Sequence, residues 1–97
     1  MIIDCLSLWV ANLLESGTSI ETRASHTAAY AAARPGRTIA VSNEVGLGVV
    51  PRNELARRYL DVLGRTNAIW AASAQRTFLI VAGRALPLSS ADGLLDG

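Results

Sequence analysis

The run from Val41 to Pro51 constrains the fold most, because it leaves a short β-branched strand and then alternates glycine with aliphatic residues. Asn43 and Glu44 stand where the strand ends, and Asn53 follows as a good helix N-cap. A loop that only joins two elements rarely carries large apolar residues among its glycines. Proteins with open α/β sheets bind their ligands at the carboxyl ends of the strands. The run therefore predicts both an α/β fold and a site at a strand tip.

The rest of the chain predicts further strands and helices around this run. The predicted strands are residues 1–3, which Asp4 follows, Thr38–Ser42 and Thr77–Ala82. The predicted helices are Leu6–Glu15, Ser25–Ala33 and a long helix after Asn53. Pro35 and Gly36 stop the second helix. Because strands alternate with helices, we expect parallel strands joined by right-handed crossovers. Residues 1–85 are predicted to form a portion of a single α/β domain, and residues 86–97 are predicted to form a loose tail.

Composition excludes several classes of function. The 97 residues suit one small domain, and 51% of them are hydrophobic, which is enough for a modest core. The net charge is +1 with the signs interspersed, so a nucleic-acid partner is not expected. The apolar stretches are too short for a membrane span. A single cysteine, Cys5, rules out an internal disulfide and fits a cytoplasmic location.

The chain contains no lysine, because all 9 of its basic residues are arginine. A phosphate-binding P-loop needs a lysine to reach the β- and γ-phosphates and a glycine-rich turn before a helix. The sequence has neither feature. It therefore does not carry its own Walker A motif.

Four residues at the predicted strand tips are candidates for a site, each with a structural alternative. Asp4 ends a hydrophobic strand, the position of the acid that holds Mg²⁺ beside bound phosphates in nucleotide-binding folds. It would also serve as the N-cap of the next helix. Asn43 and Glu44 could contact a nucleotide, or could cap the glycine turn through bonds to the backbone. Gly46, with Gly48, favours a structural turn over a phosphate cradle.

Other chemically suggestive residues favour structural interpretations. His26 is the sole histidine, but no acid lies nearby to orient it, which favours a solvated surface position. Cys5 reads as a small buried residue, because the neighbouring Asp4 would raise the pKa of its thiol. Trp9 and Trp70 fall on predicted core stripes.

Two segments resemble the bifunctional adenosylcobinamide kinase / adenosylcobinamide-phosphate guanylyltransferase of vitamin B12 biosynthesis. The first, from Asp4 to Leu14, is similar to that family's acid-ended strand and following helix. The second runs from Val41 through Pro51 and the long helix to Gly83. Together the segments cover roughly two-thirds of the chain, and the second is long and specific.

The resemblance implies a P-loop, RecA-like α/β fold, in which a parallel sheet is flanked by helices, assembled as a homotrimer. It implies transfer of phosphate from ATP or GTP to adenosylcobinamide. An enzyme histidine then takes GMP from GTP and passes it to adenosylcobinamide phosphate. Asp4 matches the family's acid that contacts the guanine nucleotide, with a possible indirect contact to Mg²⁺. Asn43, Glu44 and Gly46 match its strand-tip motif and are expected to bind the nucleotide.

The departures from the family pattern concern its catalytic parts. The P-loop and the guanylylated histidine have no counterpart in the chain, and His26 follows the acid that the family's histidine precedes. We therefore expect the chain to correspond to the carboxyl-terminal part of the enzyme, with the amino-terminal P-loop portion missing. We also expect the chain to have no catalytic residue of its own and no activity in isolation. The alternative is a non-catalytic α/β remnant, or interaction module, that associates with a full-length partner.

Overall fold

The computed structural model describes residues 2–16, 19–45 and 51–90 of the chain. In chain order the elements are β1 (Ile2–Asp4), α1 (Leu6–Ser16), α2 (Ile20–Ala33), β2 (Ile39–Val41), α3 (Glu54–Ser73), β3 (Thr77–Val81) and β4 (Arg84–Leu88). The three predicted strands and three predicted helices are all present. The prediction of an α/β fold is confirmed at this level.

The strands β1 and β2 lie side by side in parallel, with Ile2 opposite Ile39 and Asp4 opposite Val41. A parallel pair needs a long crossover connection, which α1 and α2 supply. Much of this strand pair is exposed, since all of β2 is exposed and Ile2 is 71% exposed. Within the described ranges this sheet has only two strands. A parallel strand is fully buried only when both faces of its sheet are covered.

The core lies among the three helices and divides into two clusters of buried residues. The first cluster contains Leu6, Ala28, Ala31 and Trp70, with Ile3 and Ile69 packed against it. The second contains Val10, Ile20 and Leu63, flanked by Trp9, Leu13, Leu14, Val45, Tyr59 and Val62. The two tryptophans therefore lie in or against the core, as predicted.

The helix α2 begins five residues before the predicted start at Ser25, at Ile20. Its buried residues, Ile20, Ala24, Ala28 and Ala31, recur at a spacing that places them on one face. The start is earlier than predicted because Ile20 extends this buried stripe by one turn.

The helix α3 is capped as the sequence predicts. The side-chain oxygen of Asn53 accepts hydrogen bonds from the backbone N–H groups of Leu55 and Ala56, at 2.8 and 3.3 Å. Leu55 is 68% exposed. It lies in the first turn of α3, ahead of Tyr59, where packing against the helical core begins.

The strand β3 does not join β1 and β2 among the described residues, so the expectation that it extends their parallel sheet is corrected. It pairs antiparallel with β4, from Thr77 opposite Leu88 to Val81 opposite Arg84. A two-residue turn closes this hairpin, and such local pairing has a small loop-closure cost. Strand β3 therefore pairs with the next strand in the chain, β4.

The turn between β3 and β4 consists of Ala82 and Gly83, with φ angles of 51° and 71°. Positive φ at both central positions is typical of a type I′ turn, whose twist suits a hairpin. The prediction of a loose tail from Leu86 is wrong at its start, because residues 86–88 belong to β4. Residues 91–97 lie outside the described residues.

Candidate functional site

The carboxyl ends of β1 and β2 meet at one edge of their sheet. Asp4 ends β1 with its backbone opposite Val41, and Ser42, Asn43 and Glu44 follow Val41 directly. The parallel register thus brings the backbone of Asp4 to the same edge as Asn43 and Glu44. The fourth predicted residue, Gly46, lies outside the described residues.

A buried serine links this edge to α1 and α3. Ser7 lies in the first turn of α1 and is 7% exposed. Its hydroxyl oxygen accepts a hydrogen bond from the side-chain amide of Asn43 at 3.4 Å and also contacts the Cys5 thiol. Its backbone carbonyl accepts a hydrogen bond from the hydroxyl of Tyr59 at 3.1 Å. The beginning of α1 is therefore tied both to the tip of β2 and to α3.

Asn67 of α3 holds two consecutive residues of the same tip. Its side-chain oxygen accepts a hydrogen bond from the hydroxyl of Ser42, and its side-chain N–H donates to the carbonyl of Asn43 at 2.8 Å. One amide group thus fixes the backbone that presents Asn43 and Glu44. We did not predict this residue as part of a site. The available signal was its position on a face of small residues with Gly64 and Ala71.

The face of α3 that carries Gly64 and Asn67 packs against residues 42–45. A Cβ atom built on Gly64 would lie 3.7 Å from Cγ2 of Val45, an ordinary van der Waals distance. Val45 also packs against the second core cluster. Residues 42–45 therefore run along α3, held by Asn67 through hydrogen bonds and by Val45 through packing.

The tip of β2 presents polar side chains to solvent. Asn43 and Glu44 are both exposed, and their side chains offer amide donors and carbonyl or carboxylate acceptors. Their backbone is held through Asn67 to a 20-residue helix, so a ligand would meet polar groups whose positions are already restricted. Binding to such groups costs less conformational entropy than binding to a loose loop.

His26 and Cys5, for which structural interpretations are predicted, have contrasting positions. His26 is exposed on α2, as expected for a surface histidine. Cys5 was expected to be buried but is half-buried, and its thiol contacts Ser7. The contact arises because Cys5 directly precedes α1, whose first turn contains Ser7.

A second polar surface lies between the beginning of α2 and the middle of α3. It is a shallow cleft of about 380 Å³ whose lining includes Ser19, Glu21, Arg58 and Arg65. Arg65 bridges Glu21 at 2.7 Å and Asp61 at 2.9 Å. The hydrogen bond to Glu21 and, to a smaller extent, the negative charge of Asp61 raise the pKa of the Arg65 guanidinium above its usual value. The internal pairing of this arginine indicates a structural cross-link between α2 and α3.

Within residues 2–16, 19–45 and 51–90, no group of three or more His, Cys, Asp or Glu side chains is placed to hold a metal ion. Over the same ranges, each helix is too short or too polar to cross a bilayer.

Comparison with known proteins identifies relatives of the chain. The sequence model of the family described as cobinamide kinase / cobinamide phosphate guanyltransferase matches residues 1–88. The bifunctional adenosylcobalamin biosynthesis protein CobP of Pseudomonas aeruginosa is 40% identical over 90 residues, which are 91% of this chain and 52% of that protein.

The corresponding proteins named CobU match a shorter stretch. Those of Salmonella typhimurium and Escherichia coli are 47% and 45% identical over 49 residues, which are 50% of this chain and 27% of each relative. The chain therefore spans about half the length of the P. aeruginosa relative, and its match to the other two covers about a quarter of theirs.

Proposed function

Because the chain belongs to the cobinamide kinase / cobinamide phosphate guanyltransferase family, we propose that it forms part of the guanine-nucleotide site of such an enzyme. That enzyme would phosphorylate adenosylcobinamide and then transfer GMP from GTP to adenosylcobinamide phosphate. The observation that supports this proposal best is the parallel register of β1 and β2, which brings Asp4 to the same edge as Asn43 and Glu44. Ligands of open α/β folds bind at such an edge.

Asp4, Asn43, Glu44 and Gly46 are the proposed nucleotide-binding residues. Asn43 and Glu44 would donate to and accept from polar groups of the nucleotide, from a backbone held by Asn67. Asp4 would act through its charge, either on Mg²⁺ or on a water of the metal's hydration shell. Mg²⁺ commonly takes one or two carboxylates together with waters and substrate phosphates, so a single strand-end carboxylate fits this role. When bound, the metal would supply neutralisation of phosphate charge.

The larger assembly follows from the same proposal. We infer a P-loop, RecA-like sheet flanked by helices, use of ATP and GTP, a homotrimer and a cytoplasmic location for the complete enzyme. Positioning and charge stabilisation of the phosphates provide most of the catalysis of phosphoryl transfer. The chain has no lysine for that task, and His26 lies exposed on α2. We therefore propose that the 97-residue chain alone turns over neither substrate.

The second candidate is a non-catalytic α/β remnant that associates with a full-length partner. The observation that favours it is the exposure of apolar side chains on β3 and β4, such as Ile80 and Leu86 at 64% and 57%. Exposed apolar surface of this kind often marks a protein–protein contact. The two candidates agree that the chain needs further polypeptide. They differ in whether the strand tips bind nucleotide once that polypeptide is present.

Nucleotide binding by Asp4 is the direct test of the first candidate. The experiment uses a chimera in which the part of the P. aeruginosa relative outside the match completes this chain. Asp4→Asn keeps the size and the capping ability of the side chain but removes its charge. We expect a folded protein whose Mg²⁺–GTP affinity falls by about 1–3 kcal/mol, the scale of losing a charged hydrogen-bonding partner. Titration of GTP at fixed Mg²⁺ measures the change.

Asp61→Asn is the matched control, because it makes the same chemical change at an exposed carboxylate of α3 that pairs with Arg65. It should leave GTP affinity unchanged. If Asp4→Asn and the unsubstituted chimera show equal GTP affinities and equal melting temperatures, Asp4 is not part of the site. The remnant interpretation would then gain support.

A further inference from the structure

Asn43 is held at both its backbone and its side chain. Its backbone carbonyl accepts a hydrogen bond from the side-chain amide of Asn67 at 2.8 Å, and the hydroxyl of the preceding Ser42 donates to the oxygen of the same amide. The side-chain nitrogen of Asn43 donates to the hydroxyl oxygen of Ser7 at 3.4 Å. Asn43 nevertheless remains exposed. The tip of β2 therefore presents an amide whose position and orientation are both restricted.

The hydrogen bond to Ser7 determines which end of the Asn43 amide is directed inward. An amide carries a nitrogen that donates and an oxygen that accepts, on opposite branches of one planar group. Ser7 is 7% exposed, so the nitrogen lies on the buried side. The oxygen of Asn43 is therefore on the branch directed away from Ser7. Among the residues that the structure describes, none donates to this oxygen.

The Ser7 hydroxyl has a second neighbour, the thiol of Cys5. A hydroxyl has one hydrogen and two lone pairs. When that hydrogen is directed to the sulfur of Cys5, only lone pairs face Asn43, and these accept from an N–H group but repel a carbonyl oxygen. The nitrogen of Asn43, and not its oxygen, lies at the Ser7 hydroxyl, in agreement with this polarity.

The polarity of the Asn43 amide restricts the ligand groups that it can bind. Its outward oxygen accepts from N–H and O–H groups, whereas it repels phosphate oxygens, because these also accept. Ribose hydroxyls both donate and accept, so they suit either orientation of an amide. The exocyclic amino group of guanine only donates. An amide that is fixed with its oxygen outward therefore matches this amino group best.

We propose that the side-chain oxygen of Asn43 accepts a hydrogen bond from the exocyclic amino group of guanine, and that Ser7 is the positioning residue that fixes this polarity. The proposal rests on the proposed function, because it requires a guanine nucleotide at the strand tips. It adds that the base, rather than the phosphates, lies at the tip of β2. The bond should favour GTP over ITP, whose base lacks the amino group, by about twofold to tenfold, the effect of one hydrogen bond.

The test is competition between GTP and ITP for the chimera with the P. aeruginosa relative, at fixed Mg²⁺. Asn43 is exposed, so substitutions of its side chain should leave the fold intact. Asn43→Ala removes the acceptor and should bring the ratio of the two dissociation constants close to one. Asn43→Asp keeps an acceptor of the same size and should preserve the ratio. Its added charge acts on both triphosphates alike and cancels in the ratio.

Ser7→Ala tests the positioning role. In the chimera with Asn43 it should lower the ratio toward one, because the amide can then turn. Combined with Asn43→Asp it should leave the ratio unchanged, because both oxygens of a carboxylate accept and its orientation no longer matters. A purely structural Ser7 would instead weaken GTP and ITP equally in both backgrounds. Ser25→Ala makes the same change at an exposed position of α2 and, as the matched control, should leave the ratio unchanged.

Other outcomes would overturn the proposal. Equal ratios in the unsubstituted chimera, Asn43→Ala and Asn43→Asp would show that Asn43 does not contact the amino group. A ratio that Asn43→Asp abolishes as fully as Asn43→Ala would assign the amide nitrogen to the ligand. Loss of preference over 2′-deoxy-GTP in Asn43→Ala, with no change against ITP, would assign Asn43 to the ribose.

The proposed function and this proposal can be told apart by the unsubstituted chimera. If it binds no guanine nucleotide, the proposed function fails and this proposal fails with it. If it binds GTP and the substitutions leave the ratio unchanged, this proposal alone is refuted. If Ser7→Ala prevents folding, the substitutions of the exposed Asn43 still decide whether its oxygen binds the amino group.

Discussion

The helices and the β3–β4 hairpin are both rich in apolar residues, but they bury them to different extents. In α1, α2 and α3 the apolar residues fall on one stripe of each helix, and the stripes pack into two clusters. In the hairpin they alternate onto two faces, and Phe78, Ile80 and Leu88 remain about half exposed or more. A one-sided stripe is buried by a single neighbouring layer, whereas a two-sided strand needs a layer on each face.

The comparison also separates two ways of holding a strand. β1 and β2 are joined through helices that contribute to the core, and Ile3 of β1 packs against it. The hairpin is held by its own ladder and by a two-residue turn. An isolated two-stranded hairpin is marginally stable in water. Local stability should therefore be high among the helices and low in β3 and β4.

The largest expected effect is the loss of a core side chain from α3. Leu63 is 1% exposed in the second cluster, and Leu63→Ala should lower the free energy of unfolding by about 2–5 kcal/mol. Leu55→Ala makes the same change in the same helix at a residue that is 68% exposed, and should cost less than about 0.5 kcal/mol. Urea denaturation followed by helical circular dichroism measures both values.

The hairpin supplies a third variant for this experiment. Ile80→Ala should resemble Leu55→Ala in the isolated chain, because Ile80 is 64% exposed. A cost for Ile80→Ala close to that of Leu63→Ala would mean that the hairpin is buried, and the contrast between the two regions would be lost.

An intermediate effect is expected where α3 holds the tip of β2. Asn67→Ala removes the bonds to the Ser42 hydroxyl and the Asn43 carbonyl, and should cost about 1–3 kcal/mol at roughly 0.5–1.5 kcal/mol per bond. Asn12→Ala makes the same change at an exposed position of α1. Both variants gain the same helix propensity, so the difference between their free energies of unfolding isolates the two bonds. Equal stability of the two variants would contradict the role assigned to Asn67.

The smallest effect is expected in the turn of the hairpin. Ala82 adopts φ of 51°, a left-handed conformation that disfavours alanine, before Gly83. Ala82→Asn creates the Asn-Gly pair preferred in type I′ turns and should stabilise the hairpin by about 0.5–1 kcal/mol. Hydrogen exchange of the paired amides of Leu79 and Leu86 detects this change locally.

The turn variant also tests whether the two regions are energetically independent. The melting temperature of the helices should remain unchanged in Ala82→Asn, because the hairpin contributes no residue to either core cluster of the described chain. A parallel rise in helix stability would show that the hairpin and the helical core unfold as one unit. Gly83→Ala provides the opposite change, since it places a side chain at φ of 71°.

Most of the candidate site could be predicted from the order of residues. Asp4 and Asn43 each follow an apolar run, and parallel strands align their carboxyl ends, so their meeting at one edge follows from the fold class. Asn53 was identifiable as a cap, because its side chain accepts from N–H groups two and three residues later. In each case the signal is local or follows from a general rule of topology.

Asn67 could not be assigned in the same way, because its partners are Ser42 and Asn43, more than twenty residues earlier in the chain. Its position on a face with Gly64 and Ala71 indicates that another segment packs there, but not which residues Asn67 binds. The pairing of β3 was also missed, since a strand that is apolar on both faces is compatible with either a parallel or an antiparallel neighbour. Choosing between them required knowing which strand lies nearest in space.

The order of residues therefore predicts the alternation of strands and helices, the Asn53 cap of α3, the end of α2 and the polar residues at the strand tips. These features depend on periodicity, on backbone conformational preferences and on hydrogen bonds within a few residues. Tertiary structure decided which apolar faces are covered, which amide of α3 holds the β2 tip, and which strand pairs with β3. Such choices depend on contacts between residues far apart in the chain, whose free energy is gained only when whole elements pack together.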